Sequence, residues 1–441
     1  MFPHLDGEMA QLNVATKPIY THEGVKAQHI GALQQLRRSV LSCLLWESEF
    51  YEDGVSIAER ITEFCKKVTR EELAALAVDA RAKFKLRHVP LLLVRELARK
   101  GGSIVGRTIT NVIQRPDELS EFLSIYWKDG KSPLSAQVKL GLATAFRKFN
   151  EYQLAKYNRD GAIKLRDVLF LCHAKPKDEV QADLWKRLVN KELKTPDTWE
   201  VALSGGADKK ATFERLMSEN QLGVLAFLRN LRNMADAGIS KQVVSDYSSK
   251  VNIERALPFR FIAAARAVPQ WEDVIEPMMI RATSTHEKLS GKTLLLIDTS
   301  PSMAHPLSSK SDLSRKDAAL GVAVLCRELC SEVEIWAFSS ECKMAPSRRG
   351  FALADAINSV VPSNGTLLGK ATLTVSGRYD RLICITDEES QDKVRNPDGG
   401  KDCYLINVAS NRNGIGYGPW THIDGFSEAV ADYIREKERG E

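Results

Sequence analysis

The sequence of 441 residues contains no apolar run near the roughly 18–20 residues that a membrane-spanning helix needs. Its start, MFPHLDGEMAQLN, has neither a basic segment nor an apolar core, so a secretory signal is not expected and a cytoplasmic protein is. Paired cysteines are lacking too. The eight cysteines lie at 43, 65, 172, 326, 330, 342, 384 and 403, mostly inside apolar segments and never as CxxC. That spacing argues against a zinc site or a disulfide framework and for reduced core thiols. An excess of one charge is also missing, with 62 Lys+Arg against 57 Asp+Glu. What remains is 44% hydrophobic and 27% charged, enough apolar material for sizeable cores, which excludes a disordered, collagen-like or coiled-coil chain. The length corresponds to two or three domains.

The near balance of charge hides an asymmetry. Residues 1–290 carry 44 basic and 36 acidic side chains, a net +8, while residues 291–441 carry 18 and 21, a net −3. The pattern of apolar residues changes at the same place. From about 30 to 285 the spacing is helical: Leu33, Leu36, Val40 and Leu44 fall on one stripe, as do Leu142, Phe146 and Phe149, and Leu222, Leu225, Leu228 and Leu231. Thr69 with Glu72 forms a capping box ahead of Leu73, Leu76, Ala77 and Ala80, and Thr195-Pro196 places a cap before a proline at a helix start. About a dozen helices with short polar links are expected, stacked as pairs, although no single repeat period emerges.

After Ser290 short apolar, β-rich runs alternate with helical stretches. The runs are KTLLLIDTSPS (292–302), VEIWAFSS (333–340), RLICITDEES (381–390) and DCYLINVAS (402–410). Helices are expected from Leu313 to Cys330, Phe351 to Val361 and Gly425 to Glu438. Nearly all-apolar strands alternating with helices imply a parallel sheet buried on both faces, hence a doubly wound α/β domain. The expected division is a helical module at 1–288 and an α/β module at 289–441.

In such sheets functional groups gather beyond the carboxyl ends of the strands. The first strand ends in Asp298, Ser300 and Ser302, the strand at 381–386 ends at Asp387, and the loop PSNGT between them presents Thr366. Two carboxylates and three hydroxyls, with no imidazole or thiolate, suit a hard divalent cation, Mg2+ above all and Mn2+ as substitute. A water or a ligand carboxylate would complete the octahedron. A polar loop network is the alternative. An aspartyl-nucleophile phosphatase would want an acidic residue where Ser300 stands, and His305 is not obviously placed as a base, so no enzyme activity is expected. DTSPS, the threonine loop and TDEES resemble the metal-ion-dependent adhesion site of von Willebrand factor A-like domains. That resemblance implies a metal that bridges to an acidic group on a protein partner.

In the helical half, residues 139–177 hold nine Lys/Arg against three Asp/Glu, interleaved with Phe146, Phe149, Tyr152, Tyr157 and Phe170. Basic groups neutralise phosphates and aromatic faces stack on unpaired bases, a combination suited to single-stranded nucleic acid. Equally, Phe146 and Phe149 share a core stripe with Leu142, and many of the charges would be solvated helix backs. The stretches ESEFYEDGVSIAERI (47–61), LRHVPLLLVRELAR (86–99), GLATAFRKFNEYQLAKYNRDGAIKLRDVLFLCHAKPK (141–177) and LGVLAFLRNLRNM (222–234) resemble the TROVE module of Ro RNA-binding proteins, in which an A-like domain follows. The resemblance implies a ring of HEAT-like helical repeats closed by the A-like domain. It implies single-stranded 3′ ends of misfolded non-coding RNA in a basic central hole and Y RNA on the outer helical surface. A 3′-to-5′ exoribonuclease is an implied partner. By position in those motifs, Lys164, Arg166, His173 and Lys175 are the first candidates for RNA contact, followed by Arg147, Lys148, Arg229, Arg232 and Arg260. Phe170 departs from the pattern, standing where a basic residue is expected. The rival reading is a metal-dependent adhesion module with the helical half as a spacer.

Overall fold

The computed structural model describes residues 19–20, 26–27, 31–41, 54–158, 160–253, 256, 258–284, 287–306, 313–396, 402–409, 420–424 and 430–439. After a minimal hairpin of β1 (Ile19–Tyr20) and β2 (Lys26–Ala27), the described residues from Ala32 to Ser284 form sixteen α-helices. Each is short, and caps rather than length define many of their starts. Thr69 and Glu72 form the expected reciprocal capping box, and behind it Leu73, Leu76, Ala77 and Ala80 are buried. Leu142, Phe146 and Phe149 are core as well, Phe146 meeting Trp185 edge-on at 5.3 Å. Neighbouring helices pack closely where small residues face each other. A side chain at Gly141 would lie 2.7 Å from the Gly106 carbonyl, so the helices Ile104–Val112 and Ala136–Phe146 need glycine there.

Three sequence expectations change. Helices outnumber the dozen expected because several, such as Glu151–Tyr157, Leu165–Leu171 and Trp199–Ser204, are too short to display a full period. Thr195 does not cap a helix; the cap is Thr198, whose hydroxyl accepts from the Val201 N–H at 3.3 Å. Leu225 leaves its presumed stripe and is 49% exposed, because the helix begins at Val224 and Leu222 precedes it. Leu44 and Cys43 lie outside the described residues. The other seven cysteines form no disulfide with one another, and six of them are buried.

The α/β half is built on β3 (Leu289–Asp298), β4 (Cys330–Phe338), β5 (Cys342–Met344), β6 (Arg381–Thr386), β7 (Asp402–Asn407) and β8 (Thr421–Asp424), in the order β5-β4-β3-β6-β7-β8. All neighbours are parallel except the β4–β5 edge pair. The four apolar runs supply β3, β4, β6 and β7, while β5 and β8 are the two edges. Helices Arg315–Leu329, Gly350–Val360 and Val430–Arg439 match the expected stretches, and Leu368–Thr374 is an additional helix. Both faces of β3 are covered: Leu295 and Ile297 join the large core shared with the helices, Leu294 and Leu296 the opposite one. The doubly wound architecture is therefore as expected.

The helical array starts and finishes on this domain. Helix Ala32–Leu41 packs against β8, and Arg38 donates from Nη2 to both oxygens of Glu388 at 3.2 Å. At the other end, Arg266 pairs with Asp317 through both Nη atoms, and the Phe351 N–H donates to Glu276 at 2.7 Å. No helix of the described residues is long and apolar enough to cross a membrane.

Candidate functional site

The two halves meet around the carboxyl ends of β3 and β6. Asp298 closes β3, and its Oδ1 accepts from the Ser300 N–H at 2.8 Å, which turns the chain into the short 3-10 helix Pro301–Ala304. The Ser300 and Ser302 hydroxyls lie 3.2 Å apart, and the Ser302 hydroxyl bonds to Asp387 just beyond β6. Thr386 donates to Asp298 Oδ2 at 2.6 Å. Four of the five candidate oxygen donors thus form one bonded chain. The fifth, Thr366, is buried on the PSNGT loop. Gly365 turns that loop at φ +71°, Ser363 donates to the Thr299 carbonyl at 2.7 Å, and the Thr366 backbone exchanges hydrogen bonds with Gln391 at 2.8 and 3.2 Å. Among the described residues, no hydrogen bond joins the Thr366 side chain to the other four.

Charge sets the character of this corner. Asp298 and Asp387 are both wholly buried. Burial, then the facing Asp387, push the Asp298 carboxyl up to about 7 from an ordinary 3.8. Burial raises Asp387 as well, against the pull of Ser302 and of Arg315, whose buried guanidinium stands 3.3 Å from Oδ2. The two carboxylates therefore still lack compensating charge even with Arg315 beside them. An all-oxygen donor set that is short of positive charge fits a hard divalent cation.

A pH dependence follows. A carboxyl that holds its proton more tightly folded than unfolded favours the fold most below about 3.8 and progressively less as pH climbs towards about 7. A cation held at the site would remove that penalty. The rise in Tm on adding Mg2+ should therefore be larger at pH 8 than at pH 5.5, and chelator should abolish it. A Mg2+ shift that is flat or shrinking with pH in thermal scans would contradict this electrostatic account.

The seam residues crowd the same corner. Glu388 follows Asp387 directly and adopts a left-handed backbone at φ +59°, uncommon for a residue with a side chain. Its carboxylate, wholly buried, also meets His422 Nδ1 of β8 at 3.2 Å. At the other seam Asp317 lies two residues after Arg315 and caps the same helix, accepting from the Ser314 N–H at 2.8 Å. Arg38, Arg315 and His422 carry no motif, and Glu388, though within TDEES, is not among the expected site residues.

The basic candidates fall into separate groups. Lys164 and Arg166 line a hollow of about 250 Å3 together with Lys191 and Lys194, which the sequence reading did not single out. Asp160 pairs with Lys164 at 2.8 Å, and that hydrogen bond, with the charges of Lys164, Lys191 and Arg166, holds its carboxyl below the usual range. His173 and Lys175 are exposed, and Arg147 donates to the Lys175 carbonyl at 2.8 Å. Lys148 is engaged otherwise: its ammonium donates to the carbonyls of Thr110 and Ile113 at the end of helix Ile104–Val112. Arg229 and Arg232 stand exposed on helix Val224–Asp236, the latter 3.4 Å from the Ala267 carbonyl, and Arg260 is exposed on helix Pro258–Ala267. Phe170 is 59% exposed, an unburied aromatic on the helix that follows Lys164.

Comparison with known proteins places this architecture. The family model for the TROVE domain matches residues 186–290. The crystal structure of the Deinococcus radiodurans RO (RSR) protein superposes with a TM-score of 0.66 over 93% of this chain and 100% of that one, at 17% identity. The chain therefore shares the fold of that protein, and residues 186–290 match the TROVE domain. Telomerase protein component 1 of Mus musculus is 33% identical over 87 residues, 18% of this chain. The chain spans 3% of that relative's length. The family match ends at residue 290, at the start of β3, and the doubly wound α/β half lies beyond it.

Proposed function

We propose that this chain is a TROVE-family, non-catalytic RNA-binding protein of the cytoplasm that engages single-stranded 3′ ends of misfolded non-coding RNA. The observation that carries the reading is the hollow lined by Lys164, Arg166, Lys191 and Lys194, whose one lining carboxylate is the exposed Asp160, with Asp167 beside Arg166 at 3.6 Å outside it. Cations with so little protein counter-charge are the footprint of a phosphate-bearing partner. The +8 balance of residues 1–290 and the TROVE match support it. Family resemblance extends the reading to 3′ ends held in a central hole, to Y RNA on the outer helical face and to a scaffold role for a 3′-to-5′ exoribonuclease.

In the α/β half, Asp298, Ser300, Ser302, Thr366 and Asp387 would hold Mg2+, or Mn2+ in its place. The ion would supply an electrophilic point for an acidic side chain of a protein partner. Two carboxylates, Arg315 and a divalent ion sum to +1, which favours an anion as the completing ligand. The test of the RNA reading is a comparison of affinity for a hairpin RNA with an unpaired 3′ tail and for the same hairpin without it. The tailed RNA is expected to bind more tightly and to be recovered uncleaved in the presence of Mg2+.

A further inference from the structure

A second basic cavity, of about 560 Å3, opens on the other side of the same wall. Helix Glu151–Tyr157 and its C-cap Asn158 contribute Ala155 and Asn158 to the Lys164 hollow and Tyr152, Lys156 and Tyr157 to this one. The chain at Thr195–Pro196 lines the first, and its continuation at Asp197–Glu200 lines the second. The far wall is the first turn of helix Val224–Asp236, whose N-cap, Gly223, offers no side-chain cap to the opening N–H groups.

The cations here differ in what they already hold. Arg87 and Arg115 are tied to Asp117 at 2.7 Å each, and Arg115 also lies over the Tyr157 ring at 4.5 Å. Asp197 is taken by Arg215, through two bonds of 2.9 Å. Arg229 has no hydrogen-bond or ion-pair partner among the described residues, and Lys156 touches only the Tyr152 ring, at 5.8 Å. Tyr152 is 49% exposed. An unpaired guanidinium, uncapped helix N–H groups and an open aromatic face therefore share one cavity, whose size is in the range of small-ligand sites. The first two suit a phosphate and the third a flat base. An acidic peptide would use the cations but leave the ring idle.

We infer that this cavity takes one nucleotide of single-stranded RNA, with its phosphate at Arg229 and the first turn of helix Val224–Asp236 and its base against Tyr152. The inference rests on the RNA-binding reading above and assigns it a particular seat. A strand seated here continues across helix Glu151–Tyr157 to the Lys164 hollow.

The experiment is fluorescence anisotropy of a labelled unpaired oligouridine with the full chain across a salt series. Arg229→Ala should weaken binding about tenfold and make the salt slope shallower by about 0.7, the value of one single-strand phosphate contact. Tyr152→Ala should weaken it about fivefold to more than a hundredfold with the slope unchanged, and Tyr152→Phe should restore it. Both side chains are exposed, so thermal melts of the variants should match the parent. If both variants bind like the parent while Lys164→Ala/Arg166→Ala loses affinity, the cavity assignment falls and the broader reading stands. If the parent itself does not bind the oligouridine, both fall. Free uridine monophosphate binding as tightly as the oligomer would overturn the strand, and equal competition by a polyaspartate peptide would overturn the nucleotide.

Discussion

Replacing Arg38 with methionine is expected to destabilise the protein by about 3–5 kcal/mol, because it takes the guanidinium away from a buried carboxylate. The Glu388 side chain is 0% exposed and that of Arg38 6% exposed, so neither end of the pair has water to fall back on. The two residues are 350 positions apart in sequence, and their contact joins the first described helix to the turn after β6. Its loss should both lower the urea midpoint and raise amide exchange in residues 32–41, more than elsewhere in the helical half. The double variant Arg38→Met/Glu388→Gln removes the buried charge and should recover much of the lost stability, since the side-chain amide it introduces can still bond to His422. An Arg38→Met midpoint equal to the parent's would show that the seam contributes nothing to the fold.

Removing the two basic side chains at the head of helix Leu165–Leu171 should have the largest effect on RNA binding. Lys164→Ala/Arg166→Ala is expected to cost about tenfold in affinity per site at moderate salt and to make the salt slope shallower by about 1.4. Both residues are only partly buried and bonded to acidic neighbours at the surface, Lys164 to Asp160 and Arg166 to Asp167. Surface pairs of that kind contribute little to folding, so the melting temperature should hardly move. Lys148→Ala is the contrasting control. Its ammonium is held by helix-end carbonyls, so it should lose stability before it loses RNA affinity. Equal affinity of the double variant and the parent would remove the Lys164 hollow from the interface.

Much of the architecture could be read from the chain because β3, β6 and β7 are apolar on both faces, and each announces its own end. Asp298 and Asp387 were visible for that reason, as acidic residues abutting such runs. The edges were less legible. Strand β5 has three residues and β8 four, too few for a pattern, and helices of six or seven residues never complete a second turn. Long-range partners were not legible at all. Arg315 reads as an ordinary first-turn helix residue, yet it is wholly buried against Asp387 72 positions away. Lys191 and Lys194 read as solvated charges until the chain folds them beside Lys164 and Arg166. Lys148 shows the opposite case: a basic residue in the right stretch whose charge is already spoken for by carbonyls.

The most direct test of the central claim is the affinity of the purified full chain for a hairpin RNA with a single-stranded 3′ tail and for its blunt counterpart, measured across a salt series. The account predicts tighter binding of the tailed RNA, and log affinity falling with log salt at about 0.7 per phosphate contact. Equal binding of tailed and blunt RNA, no tighter than that of an acidic polypeptide, would contradict it.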